Sequence, residues 1–122
     1  MKQLFFPAFF LIGCSEKYAD FSILDASREN NLNAVIQHLN NCADVNQKDR
    51  YIGYTPLHYS AWNGDIDIAE LLIVKGANLN ARDKKNNTPL DVAVKANKIK
   101  IASYLRNSGA KTNEDLKAAK GK

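Results

Sequence analysis

The chain has few of the side chains with which enzymes carry out acid–base or nucleophilic chemistry. It holds two histidines, His38 and His58, and two cysteines in 122 residues. It contains no Gly-x-Ser-x-Gly motif, no phosphate-binding glycine loop and no cysteine–histidine dyad. Asp65, Asp67 and Glu70 are close together in the sequence, but no nucleophile or base accompanies these carboxylates. We therefore expect a protein that is not an enzyme.

Potential metal ligands are equally scarce. His38 and Cys42 are four residues apart near the end of a predicted helix, a spacing that places two side chains on one face. A stable zinc site needs three or four protein ligands, and no others stand at a matching spacing. We expect no metal and no other cofactor.

The sequence also lacks an apolar run that could cross a membrane. Residues 4–12 form a run of nine, whereas a bilayer of about 30 Å needs roughly 20. Nine residues after a positive Lys2 are typical of a signal peptide. The run ends in Leu11-Ile12-Gly13-Cys14, which resembles the lipobox of bacterial lipoproteins. The resemblance implies cleavage before Cys14 and attachment of lipid to its thiol. An ordinary secreted protein or a buried N-terminal strand is the alternative.

The lipobox resemblance implies an order of segments and a location. Residues 1–13 are the signal peptide, and residues 14–20 are the lipidated cysteine and a tether. Ser15 follows the cysteine, which by resemblance to enterobacterial sorting favours the periplasmic face of the outer membrane. We therefore expect a lipid-anchored protein of the bacterial cell envelope. Lipidation of Cys14 leaves Cys42 without an intramolecular disulfide partner.

Positive charge is concentrated at the C-terminal end of the chain. The formal net charge is +4, yet residues 95–122 hold eight Lys or Arg against two acids. Such an end could contact anionic lipid. The alternative is a solvated helix face followed by a lysine-rich tail. We expect no nucleic-acid partner.

A repeating unit organises the rest of the sequence. Thr55-Pro56-Leu57 recurs as Thr88-Pro89-Leu90, and Gly76-Ala77 recurs as Gly109-Ala110 at the same offset. An earlier and more divergent copy begins at Phe21, and its residues 42–46 match residues 76–80 at an offset of 34. A period of 33 with Thr-Pro-Leu-His at the head of the unit resembles the ankyrin repeat.

The resemblance implies an all-α solenoid of about three helix-turn-helix repeats with a short C-terminal capping helix. The predicted repeats span residues 21–48, 49–82 and 83–111, followed by a cap at 112–119 and a disordered tail at 120–122. In repeats two and three, Thr55 and Thr88 cap the first helix, and Pro56 and Pro89 open it. We align Ser22 with Pro56, and Cys42 with the left-handed residue Gly76.

Side-chain positions follow from the same alignment. Leu57, Ala61, Ile68, Leu71 and Leu72 are predicted to face inward at helical spacing. The resemblance implies that His58 forms structural hydrogen bonds between neighbouring turns.

Ankyrin repeats bind proteins through their turn tips and the exposed positions of the first helix, and the resemblance carries those positions over to this chain. They are Arg28, Arg50, Tyr51, Ile52, Tyr54, Trp62, Asn63, Lys84, Lys85, Asn87 and Lys95. Aromatic residues and arginine contribute most of the energy of many interfaces. The alternative is that Trp62 packs on a neighbouring tip and that the tyrosines fill the longer loop.

The sequence thus favours a monomeric, membrane-tethered module that binds another protein. Lysines around an apolar patch suggest a partner with an acidic rim. An immunity protein and an envelope scaffold are two versions of this hypothesis. A structural envelope lipoprotein with a lipid-contacting basic tail and a secreted host-directed effector are the alternatives.

Overall fold

The computed structural model describes residues 22–121, in which the chain forms seven α-helices and no strand. The helices are α1 (Ile23–Arg28), α2 (Leu32–Asn40), α3 (Pro56–Asn63), α4 (Ile66–Val74), α5 (Pro89–Lys95), α6 (Ile99–Asn107) and α7 (Asn113–Lys120). The predicted signal peptide, the lipidation site Cys14 and the tether lie outside the described residues. None of the seven helices is long and apolar enough to span a bilayer.

The first six helices form three consecutive pairs, one in each predicted repeat. Within a pair, α1 packs on α2, α3 on α4, and α5 on α6. Between pairs, the first helices α1, α3 and α5 contact each other more extensively than the second helices do. This stacking confirms the predicted all-α solenoid of three helix-turn-helix repeats.

The core is a row of apolar side chains contributed by all three pairs. Burial of each such side chain stabilises the fold by about 1.5–3 kcal/mol. Leu71, which was expected to face inward, is only half-buried. The largest buried aliphatic side chains are Ile23, Leu57, Ile68, Leu72, Leu90, Ile101 and Leu105.

His38 occupies the core position that leucine holds in the other repeats. It aligns with Leu72 of the second repeat and is 4% exposed. Burial lowers the pKa of His38, and the charge of Asp25 acts in the opposite direction. His38 therefore acts as a core residue in the first repeat. Among residues 22–121, no group of three or more histidine, cysteine or acidic side chains is placed to hold a metal ion.

Helix starts follow the predicted capping pattern, with one correction. Thr55 and Thr88 are the N-caps of α3 and α5, and a proline follows each of them. The alignment of Ser22 with Pro56 is wrong. Ser22 is itself the N-cap of α1, and its hydroxyl accepts the backbone N–H of Asp25 at 3.3 Å. A serine hydroxyl satisfies an otherwise unpaired backbone donor at this position, whereas a proline could only follow it.

Left-handed residues recur at equivalent positions and show where the first repeat differs. They comprise Asn30, Gly64 and Asn97 after the first helices, Cys42, Gly76 and Gly109 after the second helices, and Gly53 and Asn86 at the tips. The step from the N-cap Ser22 to Asn30 is one position shorter than the step from Thr55 to Gly64. Because this segment of the first repeat is one position shorter, the one-residue-longer tip that follows restores the period of the repeat.

Cys42 has a φ of 66°, so it takes the left-handed conformation predicted from its alignment with glycine. The expectation that Cys42 has no disulfide partner is wrong for this structure, because Cys42 is disulfide-bonded. The disulfide partner of Cys42 lies outside residues 22–121.

Helix α7 follows the third repeat. Thr112 is its N-cap and forms a reciprocal capping box with Asp115. Its start is held by two contacts with the third repeat: Asn113 N–H donates to Asp91 at 2.8 Å, and Thr88 donates to the Lys111 carbonyl at 2.7 Å. No residue of α7 is buried. The helix extends through Lys120, so the prediction that the disordered tail begins at residue 120 is wrong.

Candidate functional site

Two neighbouring turn tips form the most distinctive surface of the described chain. The tip of repeat two is closed by a hydrogen bond from Asp49 N–H to the Tyr54 carbonyl, 2.8 Å long. The tip of repeat three is closed in the same way from Asp83 to Asn87, at 3.0 Å. The first tip is one residue longer than the second, as the sequence predicted.

In each tip, one aspartate side chain accepts hydrogen bonds from backbone N–H groups of the same tip. Asp49 Oδ1 accepts the backbone N–H groups of Tyr51 at 2.6 Å and Ile52 at 3.0 Å. Burial raises the pKa of Asp49, but the hydrogen bonds from Ile52, Tyr51 and Tyr59 outweigh it and lower the pKa overall. Asp49 therefore stays ionised and fixes the direction in which the tip points.

The equivalent carboxylate in the third repeat is Asp83. Its Oδ1 accepts the backbone N–H groups of Lys85 and Asn87, both at 2.8 Å. Asp83 is only 8% exposed. Its charge is therefore directed at backbone donors of its own tip rather than at solvent.

The two tips are tied to each other through Lys84. Its backbone N–H donates to the Ile52 carbonyl at 3.1 Å, and its ammonium group donates to the Arg50 carbonyl. Gly53 lies at this crossing with a φ of +80°, and a Cβ there would be 3.0 Å from the Lys84 nitrogen. Glycine is required here for both its backbone conformation and its lack of a side chain.

A cavity of about 350 Å³ opens between the tips, and we call it the tip cavity. Of its lining residues, all except Asp83 were predicted from the sequence as binding residues. The lining residues are Tyr51, Ile52, Tyr54, Asp83, Lys84, Lys85, Asn87 and Lys95.

Tyr54 forms the inner wall of the tip cavity. Its ring stacks on His58, with centroids 5.0 Å apart and planes inclined by 16°, and meets Tyr59 edge-on at 5.1 Å. Burial, together with the charge of Asp83, raises the pKa of Tyr54. The expectation of an exposed Tyr54 is therefore wrong, because the ring is half-buried against the core.

His58 links this wall to the next tip. Its Nδ1 accepts the Thr55 backbone N–H at 3.0 Å, so Nε2 carries the hydrogen and donates to the Asn87 carbonyl at 2.9 Å. Burial lowers the pKa of His58, while Asn87 and Asp83 act in the opposite direction. The predicted structural hydrogen bonds of His58 are confirmed.

Apolar side chains stand exposed at the outer edge of the cavity. Tyr51 is 77% exposed and Ile52 is 46% exposed. Arg50 lies over the Tyr51 ring, with its guanidinium carbon 5.9 Å from the ring centroid. Because neither Tyr51 nor Ile52 is buried, these two side chains contribute little to folding.

The remaining predicted residues lie apart from the cavity. Trp62 is 54% exposed and does not line the cavity. Asn63 donates to the Ser27 and Arg28 carbonyls at 3.0 and 3.2 Å, and thereby ties repeat two to repeat one. The Arg28 guanidinium forms an ion pair with Asp25 at 2.8 Å.

Sequence reasoning missed two members of this region. Asp83 forms part of the cavity lining, and Tyr59 supports Tyr54 while its hydroxyl donates to Asp49 at 3.3 Å. An aspartate stands at the start of both tips, so the correspondence of Asp83 with Asp49 was the available signal. For Tyr59 no such signal exists, because its position on the first helix gives no indication of what covers it.

Comparison with known proteins places this architecture in a family. A family model described as "Ankyrin repeats (3 copies)" matches residues 23–115. The chain is 38% identical over 80 residues to an ankyrin repeat protein of Rickettsia bellii, across 65% of this chain and 81% of that protein. It is 31% identical over 99 residues to the ankyrin repeat-containing protein P1E11.10 of Schizosaccharomyces pombe, across 77% of this chain and 46% of that protein.

A further relative is much longer. The chain is 41% identical over 66 residues to alpha-latrocrustotoxin-Lt1a of Latrodectus tredecimguttatus, across 54% of this chain and 4% of the toxin. The chain therefore matches less than half the length of the yeast and spider relatives. The family model covers the three helix pairs and the capping threonines and prolines described above. This chain belongs to the ankyrin-repeat family.

Proposed function

We propose that the chain is a non-catalytic protein-binding module of the bacterial cell envelope, with the tip cavity at the centre of its recognition surface. The observation that carries the proposal is the exposure of Tyr51 and Ile52 beside a cavity of about 350 Å³. A volume of this size is at the lower end of the range typical of binding pockets, about 300–1,000 Å³.

The exposed side chains are of the type that stabilises interfaces. Truncation of a central aromatic residue commonly costs a complex about 2 kcal/mol or more. The tip that presents Tyr51 is held by Asp49 and by the contacts of Lys84, so little ordering entropy is lost when a partner binds. A clustered apolar surface held rigid in this way supports a binding role.

The second part of the proposal concerns location. The lipobox resemblance supports a lipid anchor at Cys14 on the periplasmic face of the outer membrane. Residues 15–20 would then form a tether of six residues, which reaches about 20 Å at roughly 3.5 Å per residue. The partner would therefore be at or near the same membrane, as expected for an immunity protein or an envelope scaffold.

Substitutions at the cavity edge test the binding role. The double variant Tyr51→Ala/Ile52→Ala should retain the stability of the wild type and lose at least about tenfold in affinity for a partner isolated on the wild-type protein. Ile99→Ala is the matched control, because Ile99 is similarly exposed at 73% and does not line the tip cavity. Equal recovery of the same partner by the double variant would overturn the assignment of this surface. Trp62→Ala shows whether the surface extends beyond the cavity.

Labelling with radioactive palmitate tests the anchor. The wild-type chain should incorporate label, and Cys14→Ala should not. A thiol that carries lipid cannot also form a disulfide, so the intact mass, measured with and without reductant, separates a lipidated chain from a disulfide-bonded one. Absence of label in the wild type, or label that survives in Cys14→Ala, would exclude the lipoprotein assignment. Deletion of residues 112–122 tests the alternative of a lipid-contacting tail, which requires this deletion to weaken binding to anionic vesicles.

A further inference from the structure

We infer that the tip cavity takes a short acidic segment of a partner protein, with one large apolar side chain in the cavity and carboxylates on Lys85 and Lys95. This inference rests on the proposed binding function and specifies the chemistry of the segment that is bound.

The positive charge at the cavity is not balanced within the described chain. Three of the lining residues are lysines, and the cavity's single acid, Asp83, is 8% exposed and accepts hydrogen bonds from backbone N–H groups. In residues 22–121 the only ion pair joins Arg28 to Asp25, so none of these lysines has a carboxylate partner. The cavity therefore presents an apolar wall beside a net positive rim, which is complementary to an acidic ligand.

The three lysines differ in the hydrogen bonds that their ammonium groups already form within the described chain. The Lys84 ammonium donates to the Arg50 carbonyl and holds the two tips together. Lys95 donates to the Asn87 side chain at 2.7 Å, which leaves two of its three N–H groups available. The ammonium group of Lys85 makes no hydrogen bond or ion pair with any described residue. Lys85 and Lys95 are therefore the two cations available to a ligand.

The apolar wall arises from the longer tip of repeat two. The Asp49 tip has one residue more than the Asp83 tip, and it presents Tyr51 and Ile52. Both side chains line the same cavity as Lys84 of the next tip. Tyr51 is equivalent to Lys85, because each donates its backbone N–H to the aspartate that begins its tip, and Gly53 and Asn86 are the equivalent left-handed residues. Ile52 is therefore the extra residue, and it adds a second apolar side chain beside Tyr51.

Peptide binding measured by ¹H–¹⁵N NMR tests the inference on the wild-type protein. The probes are the capped peptides Asp-Glu-Phe-Asp-Glu, Asn-Gln-Phe-Asn-Gln and Asp-Glu-Ser-Asp-Glu, together with anionic phospholipid vesicles. The first peptide should shift the backbone signals of Tyr51, Lys85 and Asn87 and bind at least about fivefold more tightly than either of the other two. If the neutral peptide binds as tightly as the acidic one, charge does not contribute to recognition. If the serine peptide binds as tightly as the phenylalanine peptide, the cavity does not take an apolar side chain. Displacement of the bound peptide by the vesicles would reassign the site to lipid and overturn the inference.

Variants distinguish a failure of this inference from a failure of the proposed function. Lys85→Gln and Lys95→Gln should each lower the affinity for the acidic peptide by up to about fivefold, which is the contribution of an exposed ion pair. Most of this difference should vanish at about 1 M salt, where the screening length falls to about 3 Å. Lys100→Gln removes the same charge away from the cavity and should leave peptide affinity unchanged. If a native partner loses affinity in Tyr51→Ala/Ile52→Ala but not in Lys85→Gln/Lys95→Gln, the binding function stands and the acidic-segment inference is wrong.

Discussion

Gly53 and Gly76 offer a comparison in which one chemical change is made in two surroundings. Both residues have a positive φ, +80° at Gly53 and +95° at Gly76. A Cβ at Gly76 would meet nothing within 4 Å. At Gly53 it would lie 3.0 Å from the Lys84 nitrogen, whose hydrogen is donated to the Ile52 carbonyl. The difference between alanine at these two sites therefore measures the contact between the tips.

The expected magnitudes follow from these geometries. Alanine in the left-handed region costs about 1–2 kcal/mol, and the lower entropy of the unfolded chain returns about 0.4–1 kcal/mol. Gly76→Ala should therefore lower the free energy of unfolding by about 1 kcal/mol. Gly53→Ala carries the same backbone term and a steric term of about 1–3 kcal/mol, since a backbone atom must move to relieve the contact. We expect a total loss of about 2–4 kcal/mol at Gly53.

Urea unfolding followed by circular dichroism measures both losses, and hydrogen exchange locates the second. In Gly53→Ala the amide of Lys84 should exchange faster than in the wild type, whereas in Gly76→Ala its exchange should change only in proportion to global stability. Equal losses of stability in the two variants, with unchanged protection of Lys84, would refute the close approach of the tips. Asparagine tolerates a positive φ, so Gly76→Asn should be nearly neutral and Gly53→Asn should remain destabilised.

Three further predictions concern stability. Burial lowers the pKa of His58 in the folded state, so below the ordinary histidine pKa of about 6.5 the unfolded chain binds more protons than the folded chain. Tm should therefore be highest above pH 6.5 and fall as the pH is lowered from about 6.5 towards the folded pKa. The fall should be smaller in His58→Gln, in which the remaining slope comes from His38. Asn63→Ala removes two hydrogen bonds between repeats one and two and should cost about 1–2 kcal/mol in urea unfolding; no loss would show that the stacking of α1 on α3 alone holds these repeats together. Lys98 is the N-cap residue of α6 and forms no side-chain cap hydrogen bond, whereas Asp65 caps α4 at the equivalent place. Lys98→Asp should therefore raise the free energy of unfolding by about 1 kcal/mol, and a decrease would contradict the capping argument.

The sequence predicted the features that depend on a few neighbouring residues. Thr55 before Pro56 is sufficient to start a helix, because a cap needs only its own hydroxyl and the following turn. Gly76 indicates a left-handed helix end for the same local reason. The constant offset between repeats then places these local units in register. Equivalent residues of successive repeats therefore pack on one another, and the fold follows from pattern alone.

The tertiary structure decided how much of each candidate side chain remains available. Tyr54 and Trp62 were both predicted to be exposed, yet Tyr54 is half-buried against His58, and Trp62 is exposed but does not line the tip cavity. Asn63 was predicted as a binding residue, and its amide donates to the preceding repeat. Exposure depends on the distance to a neighbouring repeat that is remote in the sequence, and a local sequence pattern does not encode that distance. The sequence by itself determined a three-repeat solenoid and the residues of its tips, whereas only the packing of one tip on the next produced the cavity between them.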